Sequence, residues 1–400
     1  MISVDDARAR LVAAVRPLPA EIVDLKQAHG RVLAATLRAG TDQPPFPASA
    51  MDGYALRAED GADALATLEV IGEAAAGRPF DGRVGPGQAV RIFTGAIVPS
   101  GADAVVMQED AGRDGGQVTL TVPLKSGQFV RQQGLDFRAG EPLLDAGTLL
   151  RPAALALCAA MGHATLPVTR KPRVGVLATG DELVRPGTAL APGQIVNSNT
   201  YGLIALLERW GAAPLDLGIA ADTRASLEAA AERATGCDLL ITLGGASVGD
   251  HDLVQEVLGQ GGIDFYKVAM RPGKPLMFGS TGSVPLLGLP GNPVSSLVTA
   301  ILFALPLLAT LQGRADDPLA KAFDVLPLAG DMPANDQRQD YRRAQIVAAP
   351  DGKLSVRPFK VQDSSMLRVF ATSDALIERP PHAPAACTGE PVRVVRLDLI

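Results

Sequence analysis

The stretch Asp238–Asp252, DLLITLGGASVGDHD, reads as a buried strand that runs straight into a glycine-rich turn ending in two carboxylates. Leu239, Leu240, Ile241 and Leu243 form the short apolar run expected of an interior parallel strand. Gly244, Gly245 and Gly249 let the following backbone turn tightly beside a ligand. Backbone N–H groups at such a turn favour an anion, and Asp250 and Asp252 are spaced to offer oxygens to a Mg²⁺ bridging that anion. The alternative is an ordinary tight turn with a helix-capping aspartate.

Outward from this stretch, strands alternate with helices between Pro172 and Leu311. RVGVLATG, APLDLGIAA, DLLITLGG, FYKVAM and PLMFGS are strand-like, while Tyr201 to Trp210 and Ala225 to Ala234 carry helical periodicity. The alternation predicts a doubly wound α/β domain over 172–317 with helices on both faces. Ligands of such sheets bind beyond the carboxyl ends of the strands. Thr179, Gly180, Asp181 and Glu182 end one strand and Gly244 to Asp252 follow another, so both are expected at one crevice.

The flanks differ in texture. Residues 1–40 read as helical, with Ala7, Leu11, Ala14 and Val15 on one face and a second apolar segment at Val32 and Leu33. Short runs such as TLEVIG, QAVRIF, DAVVMQ and QVTLTV mark 42–140 as a small β unit. A helical segment returns at Pro152 to Met161, so the β unit reads as an insertion in a split domain, 1–41 with 141–171. Two domains in plain sequence order are the simpler alternative. From Pro318 onward, AFDVLPL, YRRAQIV, LSVRPF and PVRVVRL predict a terminal β domain over 318–400.

Composition narrows the function. A chain of 400 residues that is 47% hydrophobic can build several cores, and 42 Gly with 31 Pro imply many turns. With a net charge of −6 and only 4% aromatic residues, no basic stripe interleaved with aromatics is available to follow a nucleic acid. Cys158, Cys237 and Cys387 are odd in number and far apart, which fits reduced thiols and offers no zinc site. Ser3 and Asp6 stand in capping-box spacing within an acidic start, unlike a signal peptide, so the expected location is cytoplasmic. The apolar run Val294 to Leu311 contains Ser295, Ser296, Thr299 and Pro306 and is expected as a buried helix rather than a membrane span.

Five separated blocks carry a resemblance: PFPASAMDGYA at Pro45 to Ala55, IFTGAIVPSGADAVV at Ile92 to Val106, LATGDEL at Leu177 to Leu183, TLGGASVGDHD at Thr242 to Asp252, and MRPGKP with GLPGNPVSS between Met270 and Ser296. In these the chain resembles the molybdopterin molybdenumtransferases, the bacterial MoeA family related to the E domain of gephyrin. The resemblance implies a split N-terminal domain, an inserted β domain, a central molybdopterin-binding α/β domain and a C-terminal β-barrel. It further implies insertion of molybdenum from molybdate into adenylylated molybdopterin with Mg²⁺, and release of AMP. Partner proteins follow from it too: a molybdopterin adenylyltransferase that delivers the substrate and molybdoenzymes that receive the product.

The resemblance also assigns residues. Asp181, Glu182, Asp250 and Asp252 match the metal carboxylates, and Asp52, Asp136, Glu182, Asp222 and Asp252 match catalytic positions. Thr179, Gly180, Gly244, Gly245, Ser247, Arg271, Lys274, Pro290, Gly291 and Asn292 match substrate-binding positions of the α/β domain. Thr94, Gly95 and Arg131, like Asp52 and Asp136, match positions that face a neighbouring subunit's cleft, which implies a homodimer with a shared site. Read without the family, Met51-Asp52-Gly53 is a capped turn, Thr94-Gly95 a strand end and Arg131 with Asp136 a surface ion pair.

Chemistry makes sense of these choices. Arg271 and Lys274 supply the cations a pyrophosphate needs, and Asn292 with Pro293 suits the start of a helix whose N-terminus seats an anion. The dithiolene of the pterin supplies the soft ligands for molybdenum, so no protein cysteine is required. Departures exist: Leu243 replaces a hydroxyl residue of the family's TSGG turn, Ala246 a valine, and Arg271 a lysine. Ser364, Ser365 and Met366 align loosely with a family segment near the metal, and Asp374 stands where asparagine is commoner. Two rival functions remain at this level: a molybdopterin adenylyltransferase, which uses the same α/β domain, and a non-catalytic scaffold of the gephyrin kind.

Overall fold

The computed structural model describes residues 1–244, 253–259, 261–348 and 352–400. Its central sheet contains β1 (Arg173–Thr179), β2 (Ala213–Ala220), β3 (Leu239–Leu243), β4 (Ile263–Lys267), β5 (Pro275–Thr281) and β6 (Val284–Leu289), in the order β2-β1-β3-β6-β5-β4. The pairs β2–β1, β1–β3 and β3–β6 are parallel. The remaining two strands, β5 and β4, are added antiparallel at one edge. Every residue of β3, Thr242 included, is buried, as expected of an interior parallel strand.

Sequence periodicity passed over β6, VPLLGL. Pro285 and Gly288 break up its apolar run, yet the parallel ladder to β3 begins only at Leu286, so the proline removes no hydrogen bond from it.

Helices cover both faces. Leu203 and Leu207 of the helix Asn199–Arg209 pack with the long apolar helix on one face. Leu227 and Ala230 of Arg224–Arg233 pack with Val254, Val257 and Leu258 of Leu253–Leu258 on the other. The long helix runs from Pro293 to Leu311, and 94% of its most apolar window is buried. By length and composition it matches a membrane span, but the fold covers it on all sides, as expected for a core helix. Its middle turn, Ala300–Ala304, is a π-helix in which the N–H of Leu305 reaches back to the carbonyl of Ala300. Pro306 follows at once; having no N–H and a ring that crowds the preceding turn, it disfavours a regular α-helical ladder there.

The N-terminal reading needs correction. Only Val4–Ala13 is α-helical, with Ser3 accepting the Asp6 N–H at 3.0 Å as the capping pattern predicts, and Leu25–Gln27 adds one 3-10 turn. Ala14 is exposed, while Ala7, Leu11 and Val15 are buried. Beyond it, Ala20–Asp24 is a strand antiparallel to Thr165–Thr169, and Val32 and Leu33 form bridges to Leu149 and Val168. Local helical spacing was overridden by pairing with a segment far along the chain, which no local pattern reports. Pro152–Ala160 is helical as expected.

Two further six-stranded sheets flank the central one in sequence. One has the order Ala104–Met107, Gly53–Leu56, Gln88–Ile92, Thr67–Ala74, Gln117–Leu120 and Ala111–Asp114. The other contains Phe323–Pro327, Pro391–Arg396, Ala375–Arg379, Gln339–Ala348 and Leu354–Pro358, and the bridge between Leu328 and Val356 closes it on itself as a barrel. Met270–Arg271, from the edge of the central unit, joins that sheet in parallel with Gln339 and Asp340.

Ile241, fully buried in β3, tests how tightly the central sheet is packed. Ile241→Ala should lower stability by about 2–5 kcal/mol, read as a shift in the denaturant midpoint of the intact chain. A shift under about 1 kcal/mol would show a loosely packed site able to collapse around the missing atoms.

Candidate functional site

A cleft of about 710 Å³ lies where β1, β3 and β6 end. Thr179 and Gly180 after β1, Gly244 after β3, and Pro290, Gly291 and Asn292 after β6 line it, together with Glu182 and Asp222. These are carboxyl ends of adjacent parallel strands, the place where doubly wound sheets bind ligands.

Close backbone approach shapes its floor. Gly244 has φ of 91°, and a β-carbon there would stand 2.8 Å from the Thr179 carbonyl oxygen. A β-carbon on Gly291 would meet the Gly244 Cα at 3.6 Å. The three strand ends therefore nearly touch, and only glycine fits the middle one. Gly180 holds a comparable position, since a β-carbon there would lie 2.4 Å from the Glu182 carboxylate.

The acidic wall is partly preorganised. The Asp222 N–H donates to an Asp181 carboxylate oxygen at 3.0 Å, tying the turn after β1 to the turn after β2. Asp222 lies just before Thr223, which caps the helix Arg224–Arg233. Thr179 is nearly fully buried, and its hydroxyl has no partner among the described residues. A buried, unsatisfied hydroxyl lining a cleft is a ready contact for a polar ligand.

The opposite wall is the start of the long helix. Asn292 occupies the N-cap position by backbone geometry, but its side chain makes no capping bond, contrary to the sequence reading. The Val294 N–H instead donates to the Ser364 carbonyl at 3.1 Å, so the C-terminal unit caps this helix and brings Ser365 to the cleft. Ile195, Val196, Asn197, Ser198 and Asn199 form a wall that sequence reasoning missed. Asn199 Nδ2 fixes it by donating to the Gly291 carbonyl at 2.7 Å. The available signal was the polar Asn-Ser-Asn run before a helix, a capping composition.

Arg271 and Lys274 are not on the cleft lining. The guanidinium of Arg271 donates to Asp340 at 2.6 Å and to Asp336 and Asn335 at 3.3 Å, so it faces the barrel rather than the cleft lining. Hydrogen bonding to Asp340 strengthens its charged form. Lys274 is exposed and precedes Pro275, which lines the cleft. Gly245, Ser247, Asp250 and Asp252 lie outside the described residues. Among the described residues no three His, Cys, Asp or Glu side chains converge on one point.

A second group gathers at one end of the Gly53–Leu56 sheet. Asp52 accepts hydrogen bonds from the Thr94 N–H at 2.7 Å and the Thr94 hydroxyl at 2.8 Å. The Gly95 N–H donates to the Ser49 carbonyl, and Val130–Arg131 pairs with Ala48–Ser49. Asp136 and Arg131 are exposed, and the Asp136 N–H donates to the Gln43 carbonyl. None of these residues lines the cleft of its own chain.

Two measurements test this geometry. Gly244→Ala must accept both the positive φ and the clash with Thr179, whereas Gly282→Ala, with φ of 56° and nothing near its β-carbon, accepts only the first. The former should destabilise by about 1–3 kcal/mol more than the latter in thermal melts; equal losses would mean that the strand ends are not in contact. Backbone and hydroxyl hydrogen bonds from Thr94 hold the Asp52 carboxyl below its ordinary 3.8. The depressed value means that the Thr94 bonds are intact above 3.8 and are lost as pH falls through the lower, folded-state value. The midpoint of the Thr94 amide NMR titration should fall below 3.8; a midpoint at or above 3.8 would show the bond to be weak.

Comparisons with known proteins agree with this architecture. The family model of the MoeA N-terminal region (domain I and II) matches residues 2–162, that of the probable molybdopterin binding domain residues 175–310, and that of the MoeA C-terminal region (domain IV) residues 325–397. The molybdopterin molybdenumtransferase of Haemophilus influenzae is 36% identical over 98% of both chains. That of a Nostoc species is 44% identical over 74% of this chain and 70% of its own. A crystal structure of the molybdopterin biosynthesis MoeA protein from Pyrococcus horikoshii superposes with a TM-score of 0.83 at 31% identity, covering 99% of both chains. With matches across all its parts, the chain belongs to the MoeA family of molybdopterin molybdenumtransferases.

Proposed function

We propose that this transferase inserts molybdenum from molybdate into adenylylated molybdopterin in the cytoplasm, with Mg²⁺ at the acidic wall of the cleft, and releases AMP. The observation that carries this reading is the pairing, in one cleft, of carboxylates after β1 and β2 with a glycine-lined approach and a helix start after β3 and β6. A cleft of about 710 Å³ lies within the range that holds small organic ligands, roughly 300–1,000 Å³.

Each part has a task in this reading. Gly244 and Gly291 let phosphate oxygens come close to the backbone, and the positive end of the long helix favours their charge. Lys274 is the cation of the MRPGKP segment available to the substrate, because Arg271 is held by Asp340. Carboxylate oxygens are the donors a hard cation prefers, so Asp181 and Glu182 fit Mg²⁺, with Asp250 and Asp252 completing the set. A bound Mg²⁺ supplies charge neutralisation for the departing phosphate. Asp222 orients the turn carrying Asp181 through its backbone N–H and itself lines the cleft.

The Asp52, Thr94, Gly95, Arg131 and Asp136 group completes the cleft of a second copy in a homodimer. Its separation from the cleft of its own chain supports this assignment, as does the ionised Asp52 it presents. In the same reading the chain divides at 1–41 with 141–171, 42–140, 172–317 and 318–400. A molybdopterin adenylyltransferase delivers the substrate and molybdoenzymes accept the product.

AMP release from adenylylated molybdopterin with Mg²⁺, with and without molybdate, tests the reaction, alongside ATP consumption with free molybdopterin. The expected result is molybdate-stimulated AMP release without ATP use. ATP-dependent adenylation would favour the adenylyltransferase, and silence in both assays a scaffold. Asp222→Ala should keep the native circular dichroism and oligomeric mass yet lower turnover by about 100-fold, within the range for loss of a positioned catalytic group. Unchanged turnover would remove Asp222 from the site.

A further inference from the structure

We propose that Asn199 is a positioning residue: it ties the acidic wall of the cleft to the turn after β6 and so sets the gap in which the substrate is held. The positioning stands on hydrogen bonds of the chain itself, and its effect on turnover rests on the reaction proposed above.

The turn after β6 has few supports. Pro290, Gly291 and Asn292 connect β6, which ends at Leu289, to the long helix, which begins at Pro293. Pro290 has no N–H to donate. Among the described residues, the one hydrogen bond from this turn to another element is that accepted by the Gly291 carbonyl from Asn199 Nδ2, at 2.7 Å. Its sense is fixed, because a carbonyl only accepts and the amide must therefore face it with its nitrogen. The turn is also close to the end of β3. The Gly244 N–H donates to the Leu289 carbonyl at 3.1 Å, and a β-carbon on Gly291 would stand 3.6 Å from the Gly244 Cα. A displacement of the turn is thus felt at the glycine that lines the middle of the cleft.

On its other side Asn199 is anchored to the acidic wall. Ile195–Val196 lies parallel to Leu183–Val184, with the Ile195 N–H donating to the Glu182 carbonyl at 2.8 Å and the Asn197 N–H to the Val184 carbonyl at 2.9 Å. Asn197 and Thr200 are buried, and Asn197 Nδ2 donates to the Thr200 hydroxyl at 2.9 Å, which fixes the start of the helix Asn199–Arg209. Bonds therefore run from Glu182 through this short strand and helix start to Gly291. Helix capping does not account for Asn199, since Ser198 holds the N-cap position. The Asn199 Oδ1 takes only a long contact, 3.4 Å, from the Ser198 hydroxyl.

Two variants of the full chain test this role. Asn199→Leu keeps a similar shape without the donor. Asn199→Asp suits the first turn of a helix but turns only acceptors on the Gly291 carbonyl, and it is assayed in high salt so that its added charge is screened. In ligand-free protein, hydrogen exchange of the Gly244 amide should quicken about fivefold in both, the loss that goes with one neutral hydrogen bond. In the AMP-release assay the KM for adenylylated molybdopterin should rise about fivefold with kcat held within about twofold, the pattern of binding lost equally from ground and transition states. A merely structural role would lower kcat with the active fraction and leave KM alone. Unchanged Gly244 exchange in both variants overturns the positioning, as does an effect of Asp without one of Leu, or a failure of both to fold. If Leu alone fails to fold, Asp decides. Quicker exchange with an unchanged KM overturns the bearing on substrate. A wild-type chain that releases no AMP overturns the reaction instead, and Gly244 exchange still decides the positioning.

Discussion

The structure depends on one hydrophobic cluster that ignores the boundaries between its sheets. Val4, Ala7 and Leu11 of the first helix, Val174, Val176 and Ile241 of the central sheet, Leu302 and Phe303 of the long helix, and Tyr341, Leu376 and Val395 of the barrel all belong to it. Burying a large aliphatic side chain contributes about 1.5–3 kcal/mol, so this shared core outweighs the exposed ion pairs, each worth about 0–1 kcal/mol. The long helix lies at its centre. That is why a segment apolar enough for a bilayer is found inside a folded chain, and why the barrel's Ser364 can reach the helix's first turn.

From that core follows the precision of the cleft. Strand ends held in register by buried residues bring Gly244, Thr179 and Gly291 into near contact. The acidic wall is tied across two turns by the Asp181–Asp222 hydrogen bond. On the inserted sheet the same logic appears in smaller form, where Thr94 donates twice to Asp52 and so keeps a carboxylate charged at a fixed place. Each device includes a backbone donor, positioned by the fold rather than by a flexible side chain.

Much of this was legible in the chain because the decisive signals were local. The apolar residues Leu239, Leu240, Ile241 and Leu243 announced β3, and alternation of strand and helix announced the doubly wound layer. Features that depend on distant partners were not legible. Val32 and Leu33 pair with residues more than a hundred positions away, and β6 hides behind Pro285 and Gly288. Arg271 reads as a phosphate ligand from its neighbours in sequence, but Asp340, brought alongside by the barrel, takes its guanidinium. The capping of the long helix failed in the same way: Asn292 has the right chemistry and position, while the bond to its first turn comes from Ser364. Motif spacing reports chemistry well and partner choice poorly.

The strand Met270–Arg271 has a consequence for how this protein could be rearranged by evolution or by engineering. It leaves the central unit and enters the barrel's sheet beside Gln339 and Asp340, so hydrogen-bonded ladder and ion pair cross the seam together. Excising the barrel would strand an unpaired sheet edge on one fragment and an unmatched arginine on the other, the type of edge that invites aggregation. The two units thus share one ladder and one ion pair. A version of the central layer that lives alone must first have acquired a different ending for that strand, and a barrel grafted onto another host would need the host to lend it one.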